Sequence, residues 1–117
     1  MTTATAALTS LTEEGGFTVA TVEGEIDISN SVELETELCQ GVPNDARGLV
    51  LDLSTVTFVD SSGIRTLFDL AARLSGHRQL LHLVVPEDSQ LRRTFLLLQM
   101  PSVTPLFPDL ASAVATS

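Results

Sequence analysis

Residues 48–64 read GLVLDLSTVTFVDSSGI, an apolar run that passes through a polar turn into a second apolar pattern. Gly48 to Leu53 is almost continuously apolar and has the length of a strand, which predicts an interior strand covered on both faces. A short link, Ser54 to Thr57, leads to Phe58-Val59-Asp60. The positions that follow are apolar at helical spacing and predict an amphipathic helix. They are Ile64, Leu67, Phe68, Ala71 and Leu74.

The residues before this segment predict two strands and a helix. A first strand near Ala7 to Thr12 and a second from Phe17 to Glu23 flank Glu14-Gly15-Gly16, which is typical of a hairpin turn. Gly24 to Ser29 is expected to be a loop. Asn30 follows it as a favourable helix N-cap, because its side-chain oxygen can accept a bond from a free backbone N–H.

The residues after the segment predict two more strands and two more helices. Leu80 to Val85 has the pattern of another buried strand, and Leu91, Phe95 and Leu98 predict the apolar face of a third helix. Val103 to Phe107 is expected to be an edge strand, because Pro105 interrupts it. Pro108 to Ala115 is expected to be the last helix, with proline at its first position.

Strands that alternate with helices predict an α/β fold with a mixed or mostly parallel sheet. The pattern predicts four to five strands and about four helices. The length of 117 residues predicts one domain, residues 1–117, with residues 1–9 flexible. In such folds, functional groups lie where the carboxyl ends of strands meet the N-termini of helices.

Composition excludes several classes of function. The net charge is −9 and the cations are all Arg, so the chain is expected to bind neither nucleic acid nor an anionic membrane surface directly. No apolar stretch approaches the roughly 20 residues of a membrane span, and the N-terminus has no signal-sequence pattern. The single cysteine, Cys39, cannot form an internal disulfide, which fits a reducing cytoplasm.

The charges are distributed unevenly along the chain. Residues 1–60 hold eleven acids and one Arg, a net of −10, whereas residues 61–117 hold four acids and five Arg, a net of +1. Two interpretations are open at this point. The acidic half offers a face to a basic protein partner, or it serves only to keep the protein soluble.

Asp60-Ser61-Ser62-Gly63 places two hydroxyls in the first turn of the predicted helix. Backbone N–H groups there are unpaired and carry partial positive charge, so a phosphate added to a hydroxyl would be held favourably. Gly63 leaves room for the backbone of another protein. Asp60 can cap the helix or orient a serine hydroxyl. On these residues alone, a purely structural interpretation also stays open, in which Asp60 and Ser61 are only caps and Gly63 only relieves crowding.

Three segments resemble a known family. Asp52-Leu53-Ser54 followed by Val59-Asp60-Ser61-Ser62-Gly63-Ile64 resembles the signature of STAS domains, in particular the bacterial anti-sigma factor antagonists. Gly24-Glu25-Ile26-Asp27 is similar to the loop that precedes their first helix, and Leu91-Arg92-Arg93-Thr94-Phe95 to a later helical segment. The resemblance spans roughly residues 10–115 and implies a STAS-like fold.

The resemblance implies a partner switch controlled by phosphorylation at Ser61, with Ser62 as a secondary acceptor. The unphosphorylated protein would bind an anti-sigma factor that is itself a serine kinase, and so release the sigma factor. A PP2C-type phosphatase would restore that form. The implied partner-binding residues are Glu25, Asp27, Asp60, Ser62, Gly63, Ile64 and Arg65. Arg65 departs from the family, in which many members have glycine at this position.

The alternatives differ in role or in chemistry. A free-standing STAS domain can instead be an accessory subunit of a lipid-transport ATPase or a signalling scaffold. A serine hydrolase is disfavoured because no Gly-x-Ser-x-Gly elbow surrounds Ser61. A response-regulator receiver and a P-loop both need a Lys, which the chain lacks. His77 and His82 are expected to be surface or structural residues, so no metal, no cofactor and no enzymatic activity are expected.

Overall fold

The sheet starts from a tight hairpin. In the computed structural model, which describes residues 6–115, β1 (Ala6–Glu14) and β2 (Phe17–Ile26) pair antiparallel. Gly15 and Gly16 form the turn with φ of 62° and 87°, left-handed values that glycine adopts without steric cost. The predicted hairpin is confirmed. Of the segment expected to be flexible, residues 1–5 lie outside the described residues and 6–9 belong to β1.

Three further strands extend the sheet in parallel. The strand order is β1-β2-β3-β4-β5, with β3 at Gly48–Val59, β4 at Leu80–Val84 and β5 at Leu106–Phe107. β2, β3, β4 and β5 pair parallel in sequence order. The predicted α/β class and mixed five-stranded sheet are therefore confirmed.

Four α-helices connect or follow these strands. They are α1 (Ser31–Gly41), α2 (Ser61–Gly76), α3 (Gln90–Leu97) and α4 (Leu110–Val114), and a 3₁₀ turn at Met100–Ser102 follows α3. No helix within residues 6–115 is long and apolar enough to cross a membrane.

The core lies on both faces of the sheet. Leu49, Leu51 and Leu53 of β3 enter a large cluster that also contains the inner faces of α1, α2 and α3. Val50 of β3 enters a smaller cluster on the opposite face, where Ala113 of α4 packs. Successive side chains of a strand point to opposite faces. β3 is thus the interior strand that its sequence predicts.

β2 and β3 are longer than predicted. The expected link Ser54–Thr57 and the start of the expected loop after Glu23 are strand. The hydroxyls of Thr55 and Thr57 donate to β2 carbonyls at 3.2 and 3.3 Å, which ties the polar part of β3 to its neighbour. These threonines are exposed, so this part of β3 lacks the continuous apolar pattern that predicts a buried strand at Gly48 to Leu53.

The chain after β4 departs from prediction in three places. The expected edge strand Val103–Phe107 is strand only at Leu106–Phe107. The side chain of Leu98, assigned to the inner face of the third helix, is 46% exposed because α3 ends at Leu97 and the backbone turns away. Pro108 is not the first residue of α4. Asp109 is the N-cap instead, and its carboxylate accepts a hydrogen bond from the Ser112 N–H at 2.8 Å.

Candidate functional site

Two connections converge at the carboxyl ends of the central strands. Glu25 pairs with Phe58 and Ile26 with Val59 in the last rungs of β2 and β3. The Asp60 N–H then donates to the Ile26 carbonyl at 3.0 Å, which continues the pairing one residue past β3. The start of α2 and the β2–α1 loop therefore lie side by side. This is the location that α/β topology favours for a functional site.

The Asp60 carboxylate connects these two segments. Oδ1 accepts a hydrogen bond from the Gly63 N–H at 3.0 Å and so caps α2. Oδ2 accepts one from the Ile28 N–H of the β2–α1 loop at 3.2 Å. Each bond satisfies a backbone donor that has no partner in a helix or strand. Asp60 therefore caps the helix and also holds the loop, and it does not orient the Ser61 hydroxyl.

Ser61 is the first residue of α2 and is exposed. Within residues 6–115, no hydrogen bond engages its hydroxyl, so the oxygen faces solvent at a helix N-terminus. Ser62 is half-buried. Of the two predicted acceptors, Ser61 is the more open to another protein, and the backbone beneath it is held by Asp60.

Gly63 is buried, and its surroundings support one of the two roles that the sequence left open for it, relief of crowding. A Cβ at this position would lie 2.6 Å from Val59 Cγ1, 2.9 Å from Ile26 Cγ2 and 3.0 Å from the Ile26 carbonyl oxygen. Real Cβ atoms essentially never approach so closely. Gly63 therefore allows α2 to approach the ends of β2 and β3. Its contact with a partner's backbone stays a prediction.

Asn30 organises the β2–α1 loop, a role that the sequence did not reveal. Its side chain makes no capping bond to α1. Instead Oδ1 accepts from the Asp27 N–H at 3.0 Å, and Nδ2 donates to the Glu25 carbonyl at 2.9 Å. Asn30 is 6% exposed, so it ties the loop together from inside. In the sequence, a polar residue before a helix looks the same whether its side chain caps the helix or holds the preceding loop.

The remaining predicted partner-binding residues surround Ser61 unequally. Glu25 and Arg65 are exposed, Asp27 and Ile64 are half-buried, and Ile64 packs partly against the large core cluster. The Asp27 carboxylate accepts bonds from the N–H and the hydroxyl of Ser29, which fixes the loop conformation. Glu25, Asp27 and Asp60 make the surface acidic, and Arg65 is the basic residue of the first two turns of α2.

Exposed apolar side chains lie next to these polar residues. Ile28, in the loop that Asp60 holds, is 79% exposed, and Val32, in the first turn of α1, is 74% exposed. Phe58, at the end of β3, is 51% exposed. Exposed apolar side chains grouped among polar ones are typical of protein-binding surfaces. Ile28, Val32 and Phe58 are not among the residues that the sequence predicts to bind a partner. The sequence contained one signal for this surface. Val32 is apolar but does not share the buried face of α1 that Leu34 and Leu38 form.

The histidines and acids of the described part of the chain do not gather into a cluster of potential metal ligands. No cluster of three or more potential metal ligands occurs between residues 6 and 115. His82 is buried between Phe17 and Phe107, with ring centroids 5.0 and 4.7 Å away, and its Nδ1 lies 2.8 Å from the Ala113 carbonyl. His82 therefore has the structural role that the sequence predicts, and His77 is exposed.

Comparison with known proteins identifies relatives over nearly the whole chain. The model of the STAS domain family matches residues 9–113. RsfB of Mycobacterium tuberculosis, an anti-sigma-F factor antagonist, is 28% identical over 105 residues, which cover 90% of this chain and 84% of RsfB. BtrV of Bordetella bronchiseptica is 32% identical over 59 residues, so the chain spans about half of that relative (51%) and the match covers 50% of this chain.

A solved structure gives the same result for the fold. The crystal structure of an anti-sigma factor antagonist from Mycobacterium paratuberculosis superposes with a TM-score of 0.81 at 27% sequence identity. The superposition covers 94% of this chain and 92% of that one. The similarity therefore includes the sheet, the helices and the connections that carry the candidate site.

Proposed function

The chain belongs to the STAS domain family, and from this premise we propose that it is an anti-sigma factor antagonist switched by phosphorylation of Ser61. The unphosphorylated protein binds an anti-sigma factor that is a serine kinase, and the sigma factor is released. Phosphate on Ser61 ends that binding, and a PP2C-type phosphatase restores it. The protein acts by binding in the cytoplasm and not as an enzyme.

The observation that carries this proposal is the exposed hydroxyl of Ser61 on a fixed backbone. A kinase must reach the oxygen without unfolding the acceptor, and Ser61 stands at the outer end of α2. The Asp60 bonds to Gly63 and Ile28 hold the residues on either side in one arrangement. The half-buried Ser62 offers its hydroxyl less openly, which supports Ser61 as the acceptor.

The same geometry explains why phosphate would act at the interface and not on the fold. A phosphoserine carries about −1.5 to −2 charges at neutral pH. The helix N-terminus accommodates that charge. A partner docked over Ser61 would have to remove water from the phosphate beside Glu25, Asp27 and Asp60. A penalty of about 3 to 4 kcal/mol weakens binding by two to three orders of magnitude.

The exposed apolar side chains supply the attractive part of the proposed interface. Ile28 lies in the loop that Asp60 holds and Val32 lies in the first turn of α1. A partner that covers both side chains removes apolar surface from water. The carboxylates around them favour a partner with basic residues. The acidic half of the chain thus fits the interpretation of a face for a basic protein, the first of the two left open by the sequence.

Calorimetry with the cognate anti-sigma factor tests the proposal. We expect Ser61→Ala to bind as the wild type does and to resist phosphorylation by that kinase, and Ser61→Asp to bind at least tenfold more weakly. Ser62→Ala is the matched control and should be phosphorylated normally. Phosphate mapped to another residue would refute the site. Unchanged affinity of wild-type protein carrying phosphate on Ser61 would refute the switch.

Affinity isolation separates the proposal from the accessory-subunit alternative. Recovery of a kinase-like anti-sigma factor only after phosphatase treatment is the expected result. Recovery of transporter subunits, with or without the treatment, would favour the alternative.

A further inference from the structure

A second group of exposed apolar residues lies at the C-terminal end of α3. Leu96, Leu97 and Leu98 are 51%, 77% and 46% exposed, and Val103 after the 3₁₀ turn is 47% exposed. We call these four residues the α3 patch. Three consecutive leucines in contact with water are costly for a soluble domain, and grouped exposure of this kind marks interaction surfaces.

The α3 patch has basic neighbours in an otherwise acidic protein. A groove beside it is lined by Glu87, Ser89, Arg92, Arg93, Leu96 and Leu97. Arg93 is exposed, and Arg92 is half-buried with its guanidinium donating to the Val85 carbonyl at 3.2 Å. Two of the six cations of the chain therefore border the patch. A complementary surface would combine apolar side chains with carboxylates.

Such a surface exists on the same molecule. Ile28 and Val32, here called the α1 patch, are the two apolar side chains with exposures of 79% and 74%. Glu33 and Glu37, exposed on α1, lie one and five residues beyond Val32. Val32 also lines a groove with Glu35, Thr36, Cys39, Gln40 and Arg73 that can receive a side chain, and Arg73 is paired there with Glu35 at 3.6 Å. The α1 patch is therefore complementary to the α3 patch: both are apolar, and acidic residues neighbour the first whereas basic residues neighbour the second.

The two patches lie on different parts of the helical layer. α1 packs against β1, β2 and α2, whereas α3 packs against β3 and the 3₁₀ turn. They are positioned to meet between copies of the chain and not within one copy. We propose that the α3 patch of one copy docks on the α1 patch of a second copy, so that the protein associates head to tail.

The size, charge and position of the proposed contact predict how strong it is and what competes with it. It is small, so association is weak, with a dissociation constant of the order of 10⁻⁵ to 10⁻⁴ M. Salt should weaken it, because the proposed contact would bring Arg93 close to Glu33 and Glu37 at a solvent-exposed rim. Ile28 is held by Asp60 beside Ser61. If the function proposed above is correct, self-association therefore competes with the anti-sigma factor for the same surface.

Sedimentation velocity of the purified chain, with no partner present, tests the association separately from the proposed function. We expect the mean sedimentation coefficient to rise with concentration for the wild type. Leu97→Asp and Ile28→Asp should each remove this rise, with association weakened at least tenfold, as for the loss of an interface anchor. Leu80→Asp, at an exposed leucine of β4 (46%) outside both patches, is the control and should associate like the wild type.

Mixing the two variants distinguishes head-to-tail contact from other arrangements. Leu97→Asp keeps its α1 patch and Ile28→Asp keeps its α3 patch, so together they should form a closed one-to-one pair. Failure of the mixture to pair would overturn the proposal, as would a wild type that stays monomeric. Loss of association in Leu97→Asp alone would indicate a symmetric contact. A monomeric wild type whose Leu97→Asp variant binds the anti-sigma factor more weakly would assign the α3 patch to that partner.

Discussion

The Asp60 carboxylate accepts a hydrogen bond from the Ile28 N–H at 3.2 Å, across 32 positions of sequence. Its other oxygen caps α2 through Gly63 at 3.0 Å. One side chain therefore holds the backbone that presents Ser61 and the loop that presents Ile28. The proposed phosphorylation site and the proposed apolar anchor are fixed relative to each other by a single residue.

Asp60→Ala should lower the free energy of unfolding by about 1 to 2 kcal/mol, because it removes the cap of α2 and leaves the Ile28 N–H without its acceptor. Urea denaturation measures the loss, and amide exchange measures the faster opening at Ile28 and Gly63. Asp60→Asn keeps one acceptor oxygen and should lose less. Unchanged protection of the Ile28 amide in the alanine variant would contradict the bridging role.

Gly63→Ala should destabilise the protein by about 1 to 3 kcal/mol, because the added methyl group overlaps Val59 and Ile26. Gly76→Ala is the matched control in the same helix, since a Cβ there meets nothing within 4 Å. It should be neutral or stabilise by a few tenths of a kcal/mol, because alanine is the better helix former. Thermal or urea unfolding distinguishes the two, and equal effects would refute close packing at Gly63.

Phosphorylation of Ser61 should leave the fold unchanged. The phosphate projects from a helix N-terminus that favours negative charge, and it disturbs no bond made by the Ser61 hydroxyl within the described residues. Amide shift changes in an NMR spectrum should stay within the first turns of α2 and the β2–α1 loop. Shift changes across β4 or α4 would instead show that the switch works through a global rearrangement.

Asp109 should make the docking of α4 sensitive to acid. The Ser112 N–H and hydroxyl beside Asp109 lower the pKa of its carboxyl below the ordinary value of 3.8. The ionised form is thus favoured in the folded state. Its contribution to the free energy of unfolding is present above pH 3.8 and is lost as the pH falls through the lower pKa of the folded state. An NMR titration should show the Asp109 carboxyl and the Ser112 amide changing together below pH 3.8.

The control for this titration is Asp109→Asn, which can still cap α4 but cannot ionise. Its Ser112 amide should show no acid transition in the same range. A wild-type midpoint at or above 3.8 would contradict the stabilising contact.

Local patterns were sufficient where an element is buried on one or both faces. The apolar run of Gly48 to Leu53 and the spacing from Ile64 to Leu74 predicted a central strand and the helix after it, and both are present. The same rule missed the extension of β3 through Thr55 and Thr57. Those residues are exposed, and their strand conformation depends on pairing with β2 and not on burial.

The candidate site was predicted in its position but not in its organisation. Asp60 and Ser61 stand at the start of α2, as expected. Asn30 was expected to cap α1 and instead holds the β2–α1 loop, because its neighbours in space are the Glu25 carbonyl and the Asp27 N–H. Leu98 was expected in the core and is exposed, because α3 ends one residue earlier.

By itself, the sequence determined the order of strands and helices and the placement of a serine at the start of a helix. These follow from hydrophobic periodicity and capping chemistry, which act between residues a few positions apart. Only the tertiary structure decided which groups meet around that serine, why Gly63 must lack a side chain, and which leucines face water. Those outcomes depend on strand register and helix docking, which bring together atoms from residues about thirty positions apart.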